Sequence, residues 1–283
     1  MSESMFCTYE TAWCPGCGNH VILECLKTAL EELGRNPRDV LMVAGIGQAA
    51  KTPQYISANG FCGLHGRALP AAVGAKIANK NLTVVVDTGD GDSYGEGGNH
   101  FLHNIRRNVD IAHFVHDNQI YGLTKGQASP TSDEGLVTDA QPSGSINTPF
   151  NPLQIAIAAG AGFVARAFTG RKEQLIALMK QAILFEGYAL VDILQPCVSF
   201  NKTNTYAWYN SRVYELEAGY DPTDKAAALR RSEEFCDRIP LGVIYSEEKQ
   251  SFHDKNPILK DGTVLIDRVS APGVLQHLIQ ELI

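Results

Sequence analysis

Along the chain, five short apolar runs lack the period-two alternation of a half-exposed strand: residues 40–45, 82–89, 110–118, 162–168 and 188–194. Runs of this length bounded by Gly, Asp and Asn predict strands buried on both faces. Helix-length segments separate them near 66–79, 97–108 and 171–186. Ahead of the first run, "HVILECLKTALEELG" puts Val21, Ile22, Leu26, Ala29, Leu30 and Leu33 on one helical face, with Glu24 early and a stop at Gly34. Cys25 reads there as a small buried apolar residue. Strands alternating with helices predict an α/β fold, a parallel doubly wound sheet that binds its ligand beyond the carboxyl ends of the strands. The chemistry is therefore expected just after residues 44, 87, 117 and 194. From about 195 the pattern loosens, so residues 1–195 are expected to form the ligand-binding domain. Residues 196–283 are expected to form an irregular C-terminal arm packed on a partner. No internal repeat is visible.

Composition narrows the classes. With 44% hydrophobic and 19% charged residues, 283 residues can bury a full core. The formal charge of −7, without a basic block, argues against nucleic acid. No apolar run approaches the roughly 18 residues of a membrane span, and "MSESMFCTYE" lacks the basic and apolar regions of a secretory signal. A soluble cytoplasmic protein is expected. Seven cysteines are too few and too odd in number for a secreted disulfide framework, so they read as thiols or metal ligands.

Two segments carry candidate chemistry. In "WCPGCGNH", Cys14 and Cys17 form a C-x2-C pair. Structural zinc needs a second close pair and the chain has none; a redox dithiol needs a preceding strand and none is visible. Iron–sulfur ligation accepts isolated thiolates from distant loops and fits the scattered cysteines better. The second segment, "GDGDSYGEGGNHF", follows a predicted strand. Its glycines let backbone N–H groups approach a phosphate, and a carboxylate beside such a nest suits a bridging magnesium. Asn118 follows Gly91 after 26 intervening residues, the length of a helix plus a strand. Asp90, Asn118 and the Ile120 carbonyl could then share one metal. A calcium loop starting at Asp87 would need glycine at Asp92 and glutamate at Gly98, and a dinucleotide G-x-G-x-x-G would need glycine at Tyr94; both fail. An aspartyl-phosphatase reading, with Asp90 as nucleophile and Asp92 as acid partner, stays open, as does a non-catalytic iron–sulfur scaffold.

Around these motifs the chain resembles the β subunits of 2-oxoacid:ferredoxin oxidoreductases, of the 2-oxoglutarate synthase type. The matching blocks are "WCPGCGNH", "GIG" (45–47), "GLHGRALPAAVGAKIAN" (63–79), "GDGDSYGEGGNHFLHNIRRNVDI" (89–111), "DNQIYGLTKGQASPTS" (117–132) and "QPCVSFNKTNTYAWY" (195–209). The resemblance implies a thiamine-diphosphate fold and an activity that converts a 2-oxoacid to acyl-coenzyme A and CO2, or the reverse. Electrons would pass through a 4Fe–4S cluster to ferredoxin. It implies an α subunit that supplies the activating glutamate, in an (αβ)2 assembly. Asp90, Asn118 and Ile120 would hold magnesium; Gly91, Asp92, Leu123 and Thr124 would contact the diphosphate; Ile46, Gly47, Gln48 and His65 would line the cofactor. Leu123, Lys125 and Lys51 would influence substrate choice. Cys14, Cys17 and Cys197 match three cluster ligands. The fourth family cysteine follows "GIG", where this chain has Gln48, and Cys62 is expected to supply the missing thiolate. His100, His103, His113 and His116 are expected to be structural.

Overall fold

A computed structural model describes residues 5–7, 9–262, 264–269 and 272–283. Ten strands occur among them: β1 (Val40–Ala44), β2 (Asn59–Cys62), β3 (Thr83–Gly89), β4 (Ile111–Asp117), β5 (Ile120–Tyr121), β6 (Gln127–Ala128), β7 (Phe163–Phe168), β8 (Tyr188–Leu194), β9 (Val213–Glu215) and β10 (Ile239–Ser246). Eight form one sheet in the order β2-β1-β3-β4-β8-β7-β10-β9, parallel except where β10 meets β7. The five apolar runs became β1, β3, β4, β7 and β8, and their side chains alternate between two apolar layers. On β4, Ala112 and Phe114 enter one layer while Ile111 and Val115 enter the other. A strand covered on both faces has no polar side to show, hence the unbroken apolar runs.

Helices α1 (Gly18–Glu32) and α5 (Lys172–Leu184) cover the first layer through Ile22, Leu26, Leu30, Leu175 and Met179. Helices α2 (Ala68–Ala78), α3 (Gly98–Arg107) and α4 (Pro152–Ala158) cover the second through Leu69, Ala72, Phe101, Ile105, Leu153 and Ile157. Cys25 is buried in the first layer as expected, and burial pushes its thiol up to about 12. No disulfide joins the seven cysteines.

The C-terminal stretch is more ordered than its sequence suggests, since β9 and β10 extend the main sheet. Pro240 and Gly242, at φ +133°, break the apolar run of β10, and its pairing with β7 carries an irregularity between Val243 and Tyr245. The exposed four-residue β2 has no apolar pattern at all. Among the described residues, no helix is long and apolar enough to cross a membrane.

Candidate functional site

Neighbouring parallel strands in register deliver their loops to one edge of the sheet. Ala44 pairs with Asp87, Gly89 with His116, and Asp117 with Leu194. The segments after residues 44, 89, 117 and 194 therefore emerge side by side. Ile46, Gly47, Gln48 and His65 line one cleft there, together with Asp90, Gly91, Asp92, Asn118 and Ile120 and the hairpin residues Leu123 and Thr124. Lys125 is exposed at φ +75° in the turn between β5 and β6, and Lys51 lies on the short helical segment Ala49–Gln54. Neither lysine lines the cleft.

Asp90 opens the glycine-rich segment, which winds into a π-helical turn over Gly91–Glu96 before α3. Its carboxylate is buried and accepts from the Ser129 hydroxyl and from Thr131 Oγ1 at 2.6 Å. The same Thr131 oxygen lies 2.7 Å from Asp117. One hydroxyl proton satisfies one carboxylate at a time, so the pair is best satisfied when Asp117 keeps its own proton. Burial, reinforced by the charges of Asp192 and Asp90, does push Asp117 well above the usual carboxylate range. Burial also raises Asp90, against the pull of the two hydroxyls. Asn118 Oδ1 is fixed by the Ile120 N–H at 3.0 Å, across a left-handed Gln119 at φ +56°. The buried Gln119 side chain is held by the Thr131 carbonyl and by the Tyr209 hydroxyl, each at 2.8 Å.

A buried carboxylate beside an amide oxygen, with Ile120 lining the same cleft, offers oxygen donors, and a cation there would offset the cost of keeping Asp90 charged. That combination suits magnesium.

Asp92 plays a part that spacing did not reveal. Its Oδ1 accepts from His65 Nδ1 at 2.8 Å, Gly66 N at 2.7 Å and Ile46 N at 3.2 Å, so one carboxylate ties three loops of the cleft together. With its side chain so committed, Asp92 can face a phosphate only through its backbone. Gly91 has no room for a side chain, because a Cβ there would lie 2.2 Å from the Tyr121 ring.

The four histidines expected to be structural divide. His113 is fully buried between Thr88, Ser93 and Tyr188, and burial pushes it down to about 3, so it is neutral. His116 bridges Asn19 at 2.8 Å and Asp87 at 2.9 Å, which joins the start of α1 to β3 and β4. His100 and His103 lie on α3 and do not line the cleft.

A second cleft adjoins the first. Cys14, Cys17 and Cys197 line it with Gln48, Asn118 and Gln195. Gln195 Nε2 lies 3.5 Å from Cys17 Sγ, and Ser199 Oγ lies 3.1 Å from Cys14 Sγ. Burial raises the Cys17 thiol, assisted by the charges of Cys197 and Cys14. The structure thus brings together the C-x2-C pair and the distant Cys197. Three thiols from two loops, the Cys14–Cys17 turn and the segment after β8, suit a polynuclear iron–sulfur group; among the described residues no three His, Cys, Asp or Glu side chains are arranged around a single ion. Cys62 stands apart, exposed on edge strand β2 with its thiol 3.9 Å from the Ala50 carbonyl.

Deeper in the same acidic region, Asp192 accepts from Tyr94 at 2.8 Å, and burial raises its carboxyl to about 6 while Arg166 pulls it down. A raised carboxyl makes the native state bind its proton where the unfolded chain has lost it. Stability from this group is therefore full below the ordinary value of 3.8 and is lost as pH rises to about 6. Asp192→Asn should flatten the pH dependence of chemical denaturation over that window by about 2 kcal/mol relative to wild type. An unchanged difference between the two ends of the window would contradict the assignment.

The parallel sheet with its ligand edge, and the glycine-rich turn beside it, belong to a thiamine-diphosphate-binding domain, as the family match shows. Residues 40–193 match the family model described as thiamine pyrophosphate enzyme, C-terminal TPP binding domain, and residues 197–261 match the family model for the C-terminal part of the pyruvate ferredoxin oxidoreductase β chain. The chain is 43% identical to the 2-oxoacid:ferredoxin oxidoreductase subunit beta of Saccharolobus solfataricus, over 93% of this chain and 90% of that one. It is 45% identical to the 2-oxoglutarate oxidoreductase subunit KorB of Mycobacterium tuberculosis, over 68% of this chain and 52% of that one. A solved 2-oxoglutarate:ferredoxin oxidoreductase from Magnetococcus marinus, with 2-oxoglutarate, coenzyme A and succinyl-CoA bound, superposes with a TM-score of 0.89. It is 35% identical, over 96% of this chain and 92% of that one. The chain belongs to the family of 2-oxoacid:ferredoxin oxidoreductase β subunits.

Proposed function

We propose that this subunit binds the diphosphate end of thiamine diphosphate through magnesium and, with an α subunit, oxidises 2-oxoglutarate to succinyl-coenzyme A and CO2. The observation that carries the reading is the convergence of Asp90, Asn118 and the GIG turn at one sheet edge beside a three-thiol cleft. Asp90, Asn118 and the Ile120 carbonyl would hold the metal, and the backbone at Gly91, Asp92, Leu123 and Thr124 would meet the phosphates. When bound, thiamine diphosphate supplies the nucleophilic carbon and the electron sink for decarboxylation. Asp92 holds Ile46, Gly66 and His65 in one arrangement, which presets the cleft. Tyr121, bonded to Glu96 at 3.1 Å, packs over Gly91 at the phosphate end.

An iron–sulfur cluster on Cys14, Cys17 and Cys197 would carry electrons singly to ferredoxin, and the same site could run in reverse to fix CO2. Gln195 and Ser199 would donate to its thiolates. The C-terminal segment 196–283 would pack on the α partner in a soluble, cytoplasmic (αβ)2 complex. Leu123, Lys125 and Lys51 are the candidates for substrate choice, Lys125 as the cation for the distal carboxylate of 2-oxoglutarate.

The test is cofactor analysis of the complex purified with its α subunit, followed by a 2-oxoacid panel with coenzyme A and ferredoxin. Thiamine, magnesium, iron and sulfide are expected, with 2-oxoglutarate turned over faster than pyruvate. Lys125→Ala should reduce that preference by about two- to fivefold, the value of one lost exposed charge contact. An unchanged preference removes Lys125 from the reading.

A further inference from the structure

We infer that the cluster of this subunit is held by three thiolates only, with the side-chain amide of Gln48 at its fourth corner. The inference rests on the three-thiol cleft being an iron–sulfur site, as proposed above. Gln48 lines both clefts, so it stands between the thiols and the thiamine site. Its backbone carbonyl accepts from Trp13 Nε1 at 2.8 Å, and Trp13 packs edge-on against His20 and Tyr55, which fixes the residue beside Cys14. Its side-chain Oε1 is buried and has no hydrogen-bond partner among the described residues. A buried amide oxygen left without a donor is costly, and a metal ion at the fourth corner is what would satisfy it.

No other thiol is placed to take that corner. Cys7 and Cys62 are exposed and line neither cleft, Cys25 is in the apolar core, and Cys236 borders a different cavity, beside Phe235 and Arg166. A neutral amide oxygen binds iron far more weakly than thiolate sulfur does. The iron next to Gln48 is then retained mainly by the three inorganic sulfides and leaves first on oxidation. With ferricyanide as oxidant, the 4Fe–4S core of charge +2 gives up one electron and one Fe2+ and leaves a 3Fe–4S core of charge +1. Ferricyanide takes the electron, and the Fe2+ passes to solvent.

The experiment uses the anaerobically purified complex, with iron and sulfide analysis and electron paramagnetic resonance before and after one equivalent of ferricyanide. Wild type should develop the near-isotropic signal of an oxidised three-iron cluster and release one Fe2+ per cluster. Gln48→Cys should suppress that signal by about tenfold or more, because a fourth thiolate now retains the iron. Gln48→Ala should leave it as strong as in wild type, and Cys62→Ser should change neither the iron content nor the signal. A wild-type cluster that resists ferricyanide, or one that becomes labile only in Cys62→Ser, overturns the inference in favour of Cys62. Complex without iron and sulfide would instead overturn the cluster reading itself.

Discussion

Asp90→Ala is expected to weaken binding of thiamine diphosphate with magnesium by about 100-fold or more, roughly 2.7 kcal/mol, while the apo protein becomes no less stable. The two effects have opposite signs for one reason. In the apo protein Asp90 is a buried carboxylate that two hydroxyls only partly satisfy, and its raised proton affinity reports the cost of keeping it charged there. Removing it deletes an unfavourable buried charge. Once a divalent cation enters, that same charge becomes the strongest oxygen donor in the cleft, and its loss falls on the bound state alone. Titration calorimetry with magnesium and thiamine diphosphate measures the first effect, and thermal denaturation of the apo protein measures the second. Wild-type affinity in Asp90→Ala would remove the metal site from this cleft; a large drop in apo stability would make Asp90 a structural group.

The cleft was legible in the sequence to the extent that its chemistry is local. Asp90, Gly91 and Asn118 could be placed because each follows an apolar run, and parallel strands put the ends of such runs side by side. Cys197 could be placed for the same reason, just beyond β8. Contacts that close through space left no period to read. The hydroxyls of Ser129 and Thr131 reach Asp90 from about forty residues away, and "ASPTS" by itself reads only as a turn. Helix α4 goes unpredicted by the sequence pattern: the Asn151 side chain caps it at Gln154 N at 3.1 Å, but at seven residues its apolar pattern is too short to register. The C-terminal strands were hidden because Pro240 and Gly242 break the apolar run of β10 and β9 is three residues long. In each case local pattern weakened where tertiary contacts took over the work of fixing the backbone.

The Asp92 clamp gives the other large effect, and it closes through contacts between distant loops that leave no sequence pattern. Gly45 follows β1 directly, and a Cβ built there would lie 2.1 Å and 2.5 Å from the two oxygens of the Asp92 carboxylate. That carboxylate has nowhere to retreat, because its Oδ1 is held by His65, Gly66 and Ile46 and its Oδ2 is buried without a partner among the described residues. Gly45→Ala must therefore expel Asp92 from its three donors or displace β1, and we expect it to cost about 3 kcal/mol of stability and at least about 100-fold in cofactor affinity. Asp92→Ala alone should cost less, about 2 kcal/mol, by leaving two backbone N–H groups unsatisfied. The pair separates steric conflict from a general intolerance of Gly45 to substitution. In the Asp92→Ala background the added methyl meets no carboxylate, so Gly45→Ala should then cost under about 1 kcal/mol, a non-additivity of about 2 kcal/mol in the double-mutant cycle. Denaturation midpoints of the four proteins give the cycle. Simple additivity would mean that Gly45 is required for its own backbone conformation and that the clamp across the cleft is not what fixes the GIG turn.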